Sequence, residues 1–202
     1  MGWGGHAAVI GDALTLLKNQ LDSHLLALSP ESAGAGTEAK VVFPDGDQKT
    51  DSASFKTGAI TVLLYRIEQE TALRQGDAYV RLSPQGVAQR VQPDISLNLY
   101  VLFVSKFKDY AQALQYLSQV VRFFQGNKVF NHQNTPGLDA GIAELALDFV
   151  SLTTQQENEL WGLLRTGYLP SVVYKVRTLT FQDQDAAPPG APVGELIRRG
   201  LT

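Results

Sequence analysis

Residues 158–180 read NELWGLLRTGYLPSVVYKVRTLT, and this stretch decides how the chain is expected to fold. Its first half has the composition of a helix, which is expected to end at Gly167, before Pro170. From Pro170 onward apolar residues recur at every second position, which is typical of a β-strand. The stretch therefore predicts a protein built from both helices and strands.

The helix in this stretch has two candidate starting points. Thr153 with Gln156, or Thr154 with Glu157, fits a capping box, in which side chains satisfy the free N–H groups of the first turn. Trp161, on the same helix, is interpreted as a core residue, with an interface anchor as the alternative.

Two more amphipathic helices are predicted upstream, over residues 7–28 and 109–126, because apolar residues recur there every three or four positions. The expected buried stripe of the first is Ile10, Leu14, Leu17, Leu21, Leu25 and Leu28. That of the second is Tyr110, Leu114, Leu117, Val121 and Phe124. Asp109 is expected to cap the second helix, and Gly126 to close it.

Alternating or continuous apolar residues predict strands over residues 40–43, 59–68, 78–83, 87–91, 95–104 and 145–150. Residues 95–104 are apolar on both faces, which is typical of a central strand covered by helices on both sides. The expected fold class is α+β, with a single mixed β-sheet flanked by amphipathic helices on both faces. The composition does not change along the chain in a way that would indicate a second domain.

The period of two in the strand 59–68 places Leu63 with Tyr65 and Ile67, and places Arg66 with Glu68 on the opposite face. Two charges on a face suited to burial favour a strand that reaches the solvated rim of the sheet. The alternative is a charge pair across a contact between subunits.

Residues 1–181 are expected to form one domain, and residues 182–202 a tail rich in proline and glycine. Residues 182–192, if extended, would span on the order of 30 Å. The apolar residues that follow have helix-like spacing, at Val193, Leu196, Ile197 and Leu201. The tail is therefore expected to be able to reach a neighbouring molecule, as a docking arm.

The formal net charge is -3, and the 17 Lys and Arg residues are scattered along the chain, so nucleic acid is not an expected partner. There is no cysteine, which excludes disulfides, thiolate nucleophiles and Cys-ligated metal. The N-terminal residues lack the pattern of a signal peptide, and no stretch has the length of a membrane span. A chain made in soluble form in the cytoplasm is expected.

No catalytic, cofactor-binding or metal-binding residues are predicted. His6, His24 and His132 lack any ligand spacing and are interpreted as solvated. The carboxylates of residues 45–51 miss the offsets of a calcium loop and are interpreted as a polar hairpin. Phe123 beside Arg122 is too little for a base-stacking surface.

Three long blocks of the sequence together resemble the cap, or tail-terminator, family of phage-tail-like contractile injection systems. They are ITVLLYRIEQETALR (60–74), DISLNLYVLFVSKFKDYAQALQYLSQVVRFFQGNKVF (94–130) and ELALDFVSLTTQQENELWGLLRTGYLPSVVYKVRTL (144–179). The long N-terminal helix stands where that family also has one. The resemblance covers nearly the whole chain to about Phe181.

The resemblance implies a non-enzymatic structural protein that forms a ring, expected to be hexameric, on the distal end of an inner tube and its contractile sheath. Its partners would be its own copies and the tube and sheath proteins, and it would stop both polymers from growing. No cofactor or catalytic residue is carried over. Whether the particle is released from the cell or anchored stays open.

Two other classes of function compete with this hypothesis. One is a small-molecule-binding protein or hydrolase that uses a cleft at the end of the sheet. It predicts a monomer or dimer that binds a ligand saturably, and the sequence offers no nucleophile with a base. The other is a single-stranded nucleic-acid binder, which the acidic balance disfavours.

Overall fold

A computed structural model describes residues 9–28, 38–44, 53–70, 80–82, 88–90 and 95–181. The predicted tail over residues 182–202 lies outside the described residues. Contacts group the chain into two compact units, residues 1–69 with 97–179 and residues 70–96 with 180–202. The surfaces that bear on function all lie in the first unit.

The described residues contain three helices and eight strands. The helices are α1 Val9–Leu28, α2 Tyr110–Gly126 and α3 Thr154–Leu164. The strands are β1 Val41–Val42, β2 Ala59–Gln69, β3 Val80–Leu82, β4 Ala88–Arg90, β5 Ile95–Lys106, β6 Val129–Asn131, β7 Glu144–Val150 and β8 Ser171–Phe181.

Six of the strands form one sheet in the order β1-β2-β5-β8-β7-β6. β1 runs parallel to β2, whereas the β2–β5, β7–β8 and β6–β7 pairs are antiparallel, so the sheet is mixed. β3 and β4 pair separately as an antiparallel hairpin. The predicted α+β fold with a single mixed sheet is confirmed.

The central position of β5 explains why its sequence is apolar on both faces. Phe103 lies on one face and packs against Phe124 of α2, with 5.1 Å between the ring centroids. Leu102 and Val104 lie on the other face, in a buried cluster that also contains Trp161 of α3. We call these two sides of the sheet the α2 face and the α3 face. Complete burial of such side chains stabilises the fold by about 1.5–3 kcal/mol each.

Helix α1 packs against β1 and α2 through a stripe slightly different from the predicted one. Leu17, Leu21 and Leu25 are buried as expected, but Val9 and Ala13 complete the stripe. Leu28 is 52% exposed. The backbone N–H groups of Lys40 and Val41 donate to Oδ1 of Asp22, at 2.7 and 2.8 Å, which ties α1 to the start of β1.

The predicted stripe of α2 is wrong at three of its five positions. Tyr110, Leu114 and Val121 are exposed, while Phe124 is buried together with Ala113, Val120 and Phe123. Compared with the prediction, α2 is rotated about its own axis, so that Phe123 and Phe124 are both buried. The small Ala113 also lets the helix approach β5, where the Ser105 hydroxyl donates to the Ala113 carbonyl at 2.8 Å.

The capping residues in the sequence predicted the starts of α2 and α3 more accurately than their ends. The Asp109 carboxylate accepts hydrogen bonds from the N–H groups of Ala111 and Gln112, as predicted. The C-cap of α2 is Asn127, not Gly126, because the Asn127 side chain and N–H both donate to the Phe123 carbonyl.

Helix α3 begins with the first of the two candidate capping boxes, Thr153 with Gln156. It ends earlier than Gly167, because Arg165 adopts a left-handed conformation with φ of 51° and terminates the helix. Strand β8 then starts directly after Pro170, as the sequence predicted.

Candidate interaction surfaces

A β-bulge between Leu64 and Arg66 changes which side chains of β2 share a face. Val62 lies opposite Phe103 and Leu64 opposite Val101, but Arg66 lies opposite Tyr100. The inserted residue is Tyr65, so the predicted grouping of Tyr65 with Ile67 on one face is wrong. A bulge puts two residues of one strand against one of its partner and thereby shifts the alternation.

The bulge brings Arg66 and Glu68 onto the α3 face, beside an aromatic ring of β5. The Tyr100 hydroxyl donates to Glu68 Oε2 at 2.6 Å, and Arg66 Nη2 lies 3.4 Å from Glu68 Oε1. The Arg66 guanidinium carbon stands 5.0 Å from the centre of the Tyr100 ring, within cation–π range. The hydrogen bond to Glu68 is the main reason that the pKa of Tyr100 is raised.

Charged residues continue across the α3 face onto the next strands. Lys175 Nζ lies 5.8 Å from the centre of the Tyr100 ring, and Arg177 Nε lies 2.7 Å from Asp148 Oδ2. We call this set the charged face: Arg66, Glu68, Tyr100, Asp148, Lys175 and Arg177.

The ion pairs of the charged face lie in solvent, since the charged side chains of both pairs are between 39% and 55% exposed. Exposed pairs of this kind contribute only about 0–1 kcal/mol to stability. Arg66 and Glu68 pair with each other inside one subunit, which agrees with the interpretation of a solvated part of the sheet. A role for them in a contact between subunits stays a prediction.

A second surface is apolar and lies on α2. We call it the α2 stripe: Tyr110, Leu114, Leu117 and Val121, at successive spacings of four, three and four residues. Leu117 is half-buried, while Tyr110, Leu114 and Val121 are 64%, 42% and 36% exposed. The sequence contained an indication of this second surface. The apolar arc of α2 is wider than the arc of about 100° that one core contact needs.

The outer side of α3 forms a third surface. Gln155, Glu159 and Leu163 follow at intervals of four residues and therefore share one side of the helix. Gln155 Nε2 donates to Glu159 Oε1 at 2.9 Å. Leu163 is 74% exposed, the highest value among the exposed large apolar side chains that the structure describes.

Trp161 belongs to the core, as interpreted from the sequence. It is 7% exposed and makes an edge contact with Phe55, at 6.1 Å between ring centroids. Trp161 also makes an edge contact with Tyr168, at 5.5 Å between ring centroids, and Tyr168 is 62% exposed. Burial raises the pKa of Tyr168, and the nearby Glu157 and Tyr110 add to the shift.

The prediction of solvated histidines is wrong for His24. Its ring packs on Phe123 of α2, with 4.9 Å between ring centroids, and its Nε2 is buried without a hydrogen-bond partner among the described residues. The turn of α2 that buries Phe123 places this ring against the imidazole. His132 is exposed, as expected, and His6 lies outside the described residues.

The burial of Phe123 also removes it from any base-stacking surface with Arg122, because the ring is only 8% exposed. Asp45, Asp47 and Asp51 lie outside the described residues, so the interpretation of a polar hairpin loop stays a prediction. In the ranges that are described, three or more potential metal ligands nowhere come together. Within the same ranges, no helix has the length and apolar character needed to cross a bilayer.

The fold of the chain is similar to that of a solved terminator structure. It matches the sheath/tube terminator of an extracellular contractile injection system, PVC, in the extended state, with a TM-score of 0.53 and 14% identity over 100% of this chain. The tube-terminating cap of the anti-feeding prophage matches 69% of this chain, with 17% identity and a TM-score of 0.44. The chain spans 66% and 49% of the lengths of these two proteins.

Sequence comparison identifies the family more directly. No curated protein sequence matches the chain significantly. The model of the family described as Pvc16 N-terminal domain matches residues 12–195. This range includes all three sequence blocks that resemble terminators, and it covers more than half of the chain. The chain therefore belongs to the Pvc16 N-terminal domain family.

Proposed function

We propose that this protein is a structural cap, or tail terminator, of a contractile injection system. It would form a ring, expected to be hexameric, on the distal end of the inner tube and sheath and would stop both from growing. The observation that carries the proposal is the family match over residues 12–195. The similarity of its fold to the PVC sheath/tube terminator agrees with it.

The surfaces of the subunit suit such a role. A terminator needs contacts between identical copies that close under rotation, and a face that fits the end of a filament. The α2 stripe, the outer side of α3 and the charged face are three surfaces of different chemistry. The proposed work of the protein is shape and charge complementarity, without a catalytic step or cofactor.

The partners proposed for the ring are its own copies and the tube and sheath proteins of the same particle. Assembly in the cytoplasm is proposed as well. Residues 182–202 are proposed to be a docking arm that follows a domain of residues 1–181 and binds a neighbouring subunit or the last sheath layer. A chain ending at Phe181 should then stay folded and attach more weakly to the ring or sheath.

Imaging of particles tests the function. Particles from cells that lack this chain should have overlong or uncapped tubes, and a plasmid copy of the wild-type chain should restore their length. The purified chain should form closed rings by native mass measurement and negative-stain imaging. Particles of normal length and normal ends in the absence of this chain would contradict the proposal.

A further inference from the structure

We propose that the α2 stripe binds the outer side of α3 of a second copy of this chain, and that this contact repeats around the ring. The inference deepens the proposed function by assigning its contact between subunits.

Among the described residues, the large apolar side chains with the highest exposed fractions lie on or next to these two helices. Leu163, Tyr110 and Tyr168, at 74%, 64% and 62%, are the three most exposed large apolar or aromatic side chains described. Leu114 and Val121 extend the exposed surface along α2. These side chains leave apolar area in water, which association with an apolar partner surface would remove.

The charges around the two helices are complementary, although the whole chain is only slightly acidic. Residues 106–128 carry four basic side chains, Lys106, Lys108, Arg122 and Lys128, and a single acid, Asp109, which caps α2. Residues 151–164 carry two acids, Glu157 and Glu159, and the one basic residue next to α3 is its C-cap, Arg165. Two copies joined through α2 alone would bring like charges together, whereas α2 against α3 brings opposite charges together.

The two helices also pack against opposite faces of the sheet, since α2 contacts Phe103 and α3 contacts Leu102 and Val104. A contact between α2 of one copy and α3 of the next is therefore made by two different patches. Contacts of that type repeat head to tail and close into a ring when the rotation allows it. A contact between two identical patches would stop at a dimer.

Paired arginine variants test the contact. Leu114→Arg places a charge in the α2 stripe and leaves the outer side of α3 unchanged. Leu163→Arg places a charge on the outer side of α3 and leaves the α2 stripe unchanged. Each variant alone is expected to change the native mass from that of the ring to that of the 22.0 kDa monomer. An equimolar mixture is expected to form a dimer and nothing larger, because only one intact pair of surfaces remains.

Leu28→Arg is the control, since Leu28 is 52% exposed at the end of α1 and should keep the ring. Circular dichroism and thermal unfolding establish that all three variants are folded. The inference is overturned if both test variants keep the wild-type mass, if only one of the two dissociates the ring, or if the mixture stays monomeric. It is also overturned if the wild-type chain is monomeric at every concentration.

The outcomes separate this inference from the proposed function. Rings that persist in both variants, together with uncapped tubes in cells lacking the chain, would leave the cap function in place and assign the contact elsewhere. Normal tubes in cells lacking the chain would contradict the function whatever the variants do.

Discussion

At the scale of single residues, backbone conformation decides what a glycine contributes. Gly58 has φ of +89° in the turn before β2, and its N–H donates to the Lys106 carbonyl at 2.7 Å. Gly162 lies inside α3. A Cβ added at either glycine would meet no atom within 4 Å, so the two sites differ in backbone conformation and not in space.

We expect Gly58→Ala and Gly162→Ala to have opposite effects. Gly58→Ala should lower the free energy of unfolding by about 1–2 kcal/mol, because a side chain is disfavoured at positive φ. Gly162→Ala should raise it by about 0.5–1 kcal/mol, because alanine is the better helix former. Urea denaturation of both variants measures the difference. A shift of the same sign in both would contradict the argument.

At the scale of elements, the start of α3 depends on one reciprocal pair of hydrogen bonds. Thr153 Oγ1 accepts from the Gln156 N–H at 3.3 Å, and Gln156 Oε1 accepts from the Thr153 N–H at 2.9 Å. The sequence permitted the same motif one residue later. The structure selects Thr153, whose backbone is extended, whereas Thr154 is already the first residue of the helix.

Thr153→Ala is therefore expected to lower the free energy of unfolding by about 1 kcal/mol, the usual loss when an N-cap side chain is removed. Thr154→Ala, the matched control, should change it by less than about 0.5 kcal/mol, since the residue is exposed and away from such features. Chemical denaturation followed by far-ultraviolet circular dichroism gives both values. A larger loss for Thr154→Ala would assign the cap to the other box.

At the scale of the whole molecule, the aromatic core on the α2 face joins elements that are far apart in sequence. Tyr174 of β8 contacts Phe103 of β5, Phe124 of α2 and Phe149 of β7, at centroid distances of 5.9, 4.9 and 5.6 Å. Tyr174 is 4% exposed, and this burial raises its pKa to about 12. Its ionisation therefore depends on the integrity of the assembled core.

This burial predicts a loss of stability at high pH. Below about pH 10 a tyrosine is neutral in both the folded and the unfolded chain. Between about pH 10 and 12 Tyr174 ionises in the unfolded chain but not in the folded one, so the free energy of unfolding falls as pH rises. Tyr174→Phe should make this fall less steep, and exposed Tyr110→Phe should not. Urea midpoints across this range measure the slope, and equal slopes for wild type and Tyr174→Phe would contradict the assignment.

Features that depend on neighbouring residues could be predicted from the sequence alone. The two-sided apolar pattern of residues 95–104 predicted a central strand, and Asp109 and Thr153 marked the starts of two helices. Three ordered blocks of sequence also indicated the terminator family, which the family match over residues 12–195 confirms. These features are local because periodicity and capping act within a few residues of the chain.

Features that depend on contacts between distant elements could not be predicted in this way and emerge from the packing of the folded chain. The bulge in β2 arises in its pairing with β5, where the register shifts between Leu64 and Arg66. Arg66 and Glu68 therefore could not be assigned to a face by alternation alone. The rotation of α2 about its axis is set by the two phenylalanines that fill the interior, and it packs Phe123 on the His24 ring and exposes Leu114. The positions of the candidate surfaces depend on this packing. The apolar arc of α2 is wider than its contact with the core, and only the packed structure shows which part of the arc is exposed.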